Sequence, residues 1–353
     1  MSHSDLSFLQ KVNFSSMLIG QQLAAGPESF LSWRRAFYEE LHSKLKDAPE
    51  GKVLPIARID NLGKREFLTR YYDKSQPVVF KEAAKNWPCC KKWSLDFFEK
   101  EYSNTDALMV EVEGLTGHGV NKKFDIMTIG ELIRDIRSSG NKYLRFSPIV
   151  NNYPALKSDV DFSWLESFVT PPAFGKAHYL FIGGKNSFTH LHSDQPCNLY
   201  VQISGRKKWT LMSMEDSALV YPQVTKTAYF KTEVDFRSPD FDRYPLLKKV
   251  NRYEVVLNPG DVLYVPPHFW HYIESLDDTI SLAFRWSSLS AALKSSRLFT
   301  TLRILAQSPS VWKVSKYGKI DTNLIWAEAN GTLKAVMDKL KNREKARSEL
   351  GSH

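Results

Sequence analysis

The chain has 353 residues with 42% hydrophobic and 13% aromatic content, enough to bury a large core. Three cysteines, Cys89 and Cys90 adjacent and Cys197 remote, exclude a disulfide framework and suit a reducing compartment. No run approaches the roughly 18 apolar residues of a membrane span and no secretory signal pattern opens the chain, so a cytoplasmic protein is expected, nuclear if the source is eukaryotic. The net charge of +9 admits acidic partners or RNA.

Residues 1–26 show no hydrophobic period. Residues 28–46 are predicted helical from Phe30, Phe37, Leu41 and Leu45, with Pro49 and Gly51 ending the element. Val53 to Ile59 reads as one strand, and 60–102 as a helix-strand-helix unit with Pro77–Phe80 as its buried strand and a helix starting at Trp93–Phe98. Trp87 and Trp93 read as core anchors. Thr128-Ile-Gly-Glu131 is a capping box opening a helix with Ile129, Leu132, Ile133 and Ile136 on its apolar face, ended by Gly140. Lys142–Phe146 then alternates as a strand.

From 178 the chain turns β-rich. Tyr179–Ile182, the strand carrying His190-Leu-His192-Ser-Asp194, Asn198–Ile203 and Lys207–Met212 follow one another through short turns at Gly183-Gly184 and Ser204-Gly205. Antiparallel strands with short turns suggest a jelly-roll. A long polar connection covers 213–250, and Gly260 to His271 reads as a strand rising into a rigid Pro-Pro mouth. Beyond Trp286 two helices are predicted, one with Leu298, Leu302 and Leu305 on a face and one with Leu333, Val336, Met337 and Leu340, followed by the basic cluster Lys339, Lys341, Arg343, Lys345 and Arg347.

Residues i and i+2 of a strand share a face, so His192 and Asp194 project together. Two histidines and a carboxylate on one face of an octahedron are what a metal with open positions for oxygen chemistry requires, and His271 offers the third ligand. His190 and Asp194, on a straight strand, stand roughly 13 Å apart, too far to share an ion. An isolated His-x-Asp is a weak signal; the second motif strengthens it.

Four motifs in order resemble the JmjC/cupin-like iron(II) and 2-oxoglutarate-dependent oxygenases, and within them the protein asparaginyl hydroxylases: Thr189-His-Leu-His192-Ser-Asp194, Asn198 through Gly205-Arg-Lys207, Val234 through Pro245, and Gly260 through His271. The resemblance is strong over 178–286 and weaker over 52–177. It implies a mainly β fold with flanking helices, a double-stranded β-helix of the jelly-roll or cupin type. It also implies an N-terminal helical segment 1–50, an oxygenase domain 51–286 with its catalytic jelly-roll about 143–286, and a C-terminal helical segment 287–353 that pairs chains into a homodimer. The cofactors implied are Fe(II), 2-oxoglutarate and O2. His192, Asp194 and His271 would hold the iron. Lys207, which strand alternation turns away from Arg206 and Lys208, would pair with the far carboxylate of 2-oxoglutarate, with Thr189, Tyr143 and Asn198 beside it. The expected partner is a polypeptide substrate, hydroxylated on a side chain and walled by Phe188, Tyr200, Phe269 and Trp270. The alternatives are a tRNA-base hydroxylase, suggested by Tyr244-Pro-Leu246, an N-methyl-lysine demethylase, or a non-catalytic cupin binding module. Two departures stand out: the segment between Tyr221 and Val234 lacks the family's Arg-Gln pair for the substrate backbone, and Phe284 is expected where the hydroxylases carry an Asn near the iron.

Overall fold

The computed structural model describes residues 6–24, 30–111, 124–224, 230–306 and 333–350. Among these the strands form two sheets. The first runs in the order β1 (Val53–Pro55), β13 (Arg252–Leu257), β10 (Lys207–Met212), β15 (Trp270–Ser275), β8 (Phe188–Ser193), β12 (Phe230–Thr232) and β11 (Pro222–Gln223). The second runs β2 (Ala57–Ile59), β3 (Val78–Phe80), β14 (Val262–Val265), β9 (Cys197–Ser204), β16 (Thr279–Ser287), β7 (Phe174–Gly183), β6 (Lys142–Ser147), β4 (Asp106–Glu111) and β5 (Phe124–Thr128). This is the jelly-roll sandwich of a cupin-like domain, with helices outside.

Three large cores follow from strand alternation. Between the sheets lie Tyr143, Phe181, Tyr200 and Ala283 from the second sheet and Trp209, Leu211, Leu257 and Ile273 from the first. The outer face of the second sheet, with Leu199, Leu282, Phe284 and Trp286, is covered by helices of the 64–168 region. The outer face of the first, with Met212 and Trp270, is covered by the N-terminal helices and by Phe299 and Leu302. No helix among the described residues is long and apolar enough to cross a membrane.

Several expectations change. The first residues do form a helix, Phe8–Leu23, opened by a capping box between Ser7 and Gln10. Its buried stripe is Gln10, Phe14, Met17, Leu18, Gln21 and Gln22, so glutamines share the helical period and a hydrophobic reading understates it. Gln10 bonds to Glu40 and Lys44 of the next helix, Leu31–Leu45. Phe30 precedes that helix in a left-handed conformation and is exposed rather than on its buried face. The expected strand 53–59 divides into β1 and β2, which join different sheets, β1 parallel to β13 and β2 parallel to β3. The capping box at Thr128 and Glu131 forms, and Ile129, Leu132, Ile133 and Ile136 are buried. On β6 the simple alternation fails: Phe146 takes a φ of 55°, and a ladder irregularity lets Tyr143 and Phe146 both enter the inter-sheet core.

The C-terminal helix Leu333–Leu350 buries Val336 against Leu108 and Ile126 of its own sheet, with Leu340 partly buried beside them. Arg343 reinforces this with bonds to the Ile126 carbonyl and Glu131. Met337 faces solvent. The side chains of Leu333 and Arg347 lie outside those described.

Candidate metal centre

β8 and β15 run antiparallel with His192 opposite His271, and directly opposed residues share a face. Two residues further along β15, Ile273 pairs with Thr189, so β8 carries one extra residue between these pairs. This bulge corrects the expectation for His190. It does not share the face of His192; its ring meets Phe188 edge to face, with centroids 4.8 Å apart. Asp194 lies just past the end of β8, where its carbonyl accepts a hydrogen bond from the His268 amide at 2.7 Å. The ligand atoms of His192, Asp194 and His271 fall within 4.8 Å of one another.

Both imidazoles are fixed in one tautomer. His192 Nδ1 lies 2.7 Å from the His190 carbonyl and His271 Nδ1 2.8 Å from the Phe269 carbonyl. A carbonyl only accepts, so each Nδ1 carries the proton and each Nε2 keeps its lone pair for a metal. Burial pushes the His271 pKa down, overcoming the opposing pull of Asp194, and the Arg285 and Arg145 guanidiniums depress it further. A neutral ring is the form that ligates. Trp209 stacks on His271 with ring centroids 5.7 Å apart and planes 22° apart.

Deeper between the sheets, β10 turns Lys207, Trp209 and Leu211 inward. Gly205 makes this possible: its φ is 66°, and a Cβ there would stand 2.0 Å from the Asp278 carbonyl oxygen. Lys207 is completely buried, with Nζ donating to Tyr143 Oη at 2.8 Å and Tyr200 Oη at 2.9 Å. Burial works against its charge, but the two phenol oxygens outweigh that and hold its pKa above the ordinary value. Burial pushes the Tyr200 hydroxyl up to about 12. Arg206 pairs with Asp277 and Lys208 with Glu254, both outside. Thr189 is buried on the inward face, and Asn198 has a buried Oδ1 with no hydrogen-bond partner.

The donor set fits iron(II): two imidazole nitrogens and one carboxylate would hold it, three ligands being what a metal used for oxygen chemistry takes from the protein. The interior also fits a small anion, with the completely buried Lys207 ammonium turned into it.

Sequence reading placed some residues wrongly and missed others. Phe284 does not face the site; it packs in the outer core of the second sheet with Trp286. The inward residues of β16 are Ala283 and Arg285, one position to either side. Arg285 binds the Asp194 carboxylate directly, a role that its place in Leu282-Ala-Phe-Arg-Trp286 does not announce. Phe188 and Trp270 likewise face the helix-covered core, whereas Tyr200 and Phe269 are in the inter-sheet core. Tyr200 belongs with Lys207 rather than in a substrate wall. Its place was legible, since Asn198 and Tyr200 are two apart on one strand.

The fold is that of a cupin-like domain, and His192, Asp194 and His271 form a group that could hold the Fe(II) which such a centre uses with 2-oxoglutarate and O2. A family described as Cupin-like domain matches residues 64–292, and the chain belongs to it. It is 26% identical over 295 residues to Lysine-specific demethylase 8 of Xenopus tropicalis, covering 81% of this chain and 65% of that one. It is 25% identical over 260 residues to tRNA wybutosine-synthesizing protein 5 of Homo sapiens, covering 68% and 80%. With HSPB1-associated protein 1 of Homo sapiens the identity is 37% over 134 residues, 36% of this chain and 27% of the relative. The chain spans between 53% and 65% of the length of its JmjC and demethylase relatives.

Proposed function

We propose that this chain is an oxygenase that hydroxylates a side chain of a polypeptide, with release of succinate and carbon dioxide from 2-oxoglutarate. The observation that carries the reading is that the grouped His192, Asp194 and His271 and the buried Lys207 ammonium lie between the same two sheets, bridged by Trp209 and Tyr200. The triad would hold iron(II), which supplies the oxidising chemistry once 2-oxoglutarate and dioxygen are bound. Lys207, Tyr143 and Tyr200 would hold the far carboxylate, with Thr189 and Asn198 completing the pocket. The two sheets shield the reacting atoms from water. The non-catalytic reading is disfavoured because a binding module has no use for a ligand triad with both tautomers set and a buried cation behind it.

A polypeptide is supported by the first sheet thinning beyond His192 to the short strands β12 and β11, the latter an edge that an extended chain can join. The likeness of Val234 to Pro245 to the protein hydroxylases points the same way. A second reading, oxidation of a modified tRNA base, is favoured by the net charge of +9 and by the relative named for wybutosine synthesis. Demethylation of N-methyl-lysine would use the same oxidation of a C–H bond, and a relative carries that name. The test is succinate release above the uncoupled background with lysates treated by protease or by nuclease. Stimulation that survives nuclease and is lost to protease supports the polypeptide; the reverse supports tRNA and overturns it.

A further inference from the structure

The strand β12 places one partly buried cation, Lys231, beside the strand that carries His192, and the proposed reaction leaves it without a task. Phe230 stands opposite Ser193 and Lys231 opposite His192. Phe230 follows Trp270, which also pairs with Ser193, into the helix-covered core, where its ring meets Phe299 at 5.0 Å. Alternation then turns Lys231 to the side of His192 and His271. Adjacent strands lie about 4.8 Å apart, so Lys231 stands beside His192 on the strand ladder, with its ammonium too far from Asp194 to feel that carboxylate.

Nothing in the described chain balances this charge. Lys231 Nζ makes no hydrogen bond or ion pair among the described residues, and burial alone moves its pKa, downward. Its neighbours do not help: Arg285 and Arg145 add positive potential around His271, and the Asp194 carboxylate is already engaged by Arg285. A partly buried ammonium without a counter-ion is costly, and an arriving anion relieves that cost.

We infer that Lys231 is a specificity-determining residue that receives a carboxylate of the substrate, so that the chain oxidises a residue neighboured by Asp or Glu. The inference rests on the polypeptide reading. A single carboxylate is the counter-ion that one partly buried ammonium calls for. An RNA would need several such cations unpaired.

The experiment uses three degenerate pools of synthetic peptides, one enriched in Asp and Glu, one in Asn and Gln, one in Lys and Arg, with succinate release measured for the wild type, Lys231→Met and Lys231→Glu. Because the readout is the ratio between pools within each protein, partial misfolding of a variant cancels. The wild type should favour the acidic over the basic pool roughly ten- to a hundred-fold, the range of one charge-assisted contact. Lys231→Met should lose most of that ratio and Lys231→Glu should invert it. A ratio unchanged in Lys231→Glu, or a wild type that uses peptides with no acidic preference, overturns the role of Lys231 and leaves the polypeptide reading standing. A wild type that answers to none of the three pools overturns both.

Discussion

Replacing Lys207 by Met keeps the stem that fills the space between the sheets and removes only the ammonium, which donates to Tyr143 at 2.8 Å and Tyr200 at 2.9 Å. If that ammonium also receives the far carboxylate of 2-oxoglutarate, the variant loses one charge-assisted contact in a dry site, about 1.5–3 kcal/mol, or roughly ten- to a hundred-fold in affinity. The two phenols lose their shared donor as well, a cost to folding of order 1–3 kcal/mol. Lys208→Met is the control: its ammonium pairs with Glu254 at 2.8 Å on the outer face of the same strand, a surface pair worth at most about 1 kcal/mol. The assay is calorimetric titration of 2-oxoglutarate into manganese-loaded protein under argon, which measures binding apart from turnover. Equal losses in the two variants, or an unchanged affinity in Lys207→Met, would refute the assignment of Lys207 to the cosubstrate.

Three further perturbations test the surrounding structure. Burial raises the Asp216 pKa from 3.8 to about 6, and its Oδ1 has no partner. The folded state therefore holds the proton more tightly, and the stability Asp216 contributes at low pH is lost as pH rises from about 4 through 6. Asp216→Asn should gain up to about 3 kcal/mol over the wild type at pH 7.5 and nothing at pH 3.5, measured by urea unfolding; parallel pH profiles would contradict this. Val336→Asp places a charge against Leu108 and Ile126 and should lower the melting temperature by a few degrees, whereas a helix used chiefly to pair two chains would change the mass in light scattering instead. Gly205→Ala should destabilise by several kcal/mol, because the turn needs both a positive φ and room beside the Asp278 carbonyl; a wild-type melting curve would show that the turn can shift.

The grouping of His192, Asp194 and His271 was legible because each lies at or beside a strand end in a motif whose spacing reflects chemistry. His192 and Asp194 needed only the two-residue alternation, and His271 a second strand rising into the same mouth. Lys207 was legible for the same reason, since the pattern Arg206-Lys-Lys208 puts the middle residue on the opposite face of β10 from its neighbours. Alternation failed wherever the ladder breaks. The bulge on β8 turns His190 onto Phe188, so it is excluded by direction and not by the distance that a straight strand implies. The irregularity on β6 brings Phe146 inward with Tyr143. On β16 the reading slipped by one position, which put Phe284 at the site and hid Arg285. The N-terminal helix was missed because its buried stripe includes Gln10, Gln21 and Gln22, which a hydrophobic pattern does not count; Gln10 is held by Glu40 and Lys44 of the next helix. Lys231 carried no sequence signal at all; its meaning comes from pairing with a strand nearly forty residues earlier.

The central claim is that His192, Asp194 and His271 hold one iron(II) that couples 2-oxoglutarate consumption to dioxygen. The most direct measurement is iron bound per chain under argon, followed by succinate formed on admitting air with isotopically labelled 2-oxoglutarate, in the wild type, in His192→Ala, Asp194→Ala and His271→Ala, and in His190→Ala. The account predicts one iron per chain and labelled succinate in the wild type and in His190→Ala, and the loss of both in each of the other three variants. Iron retained by Asp194→Ala and lost from His190→Ala, or succinate formed by a chain without His271, would contradict it.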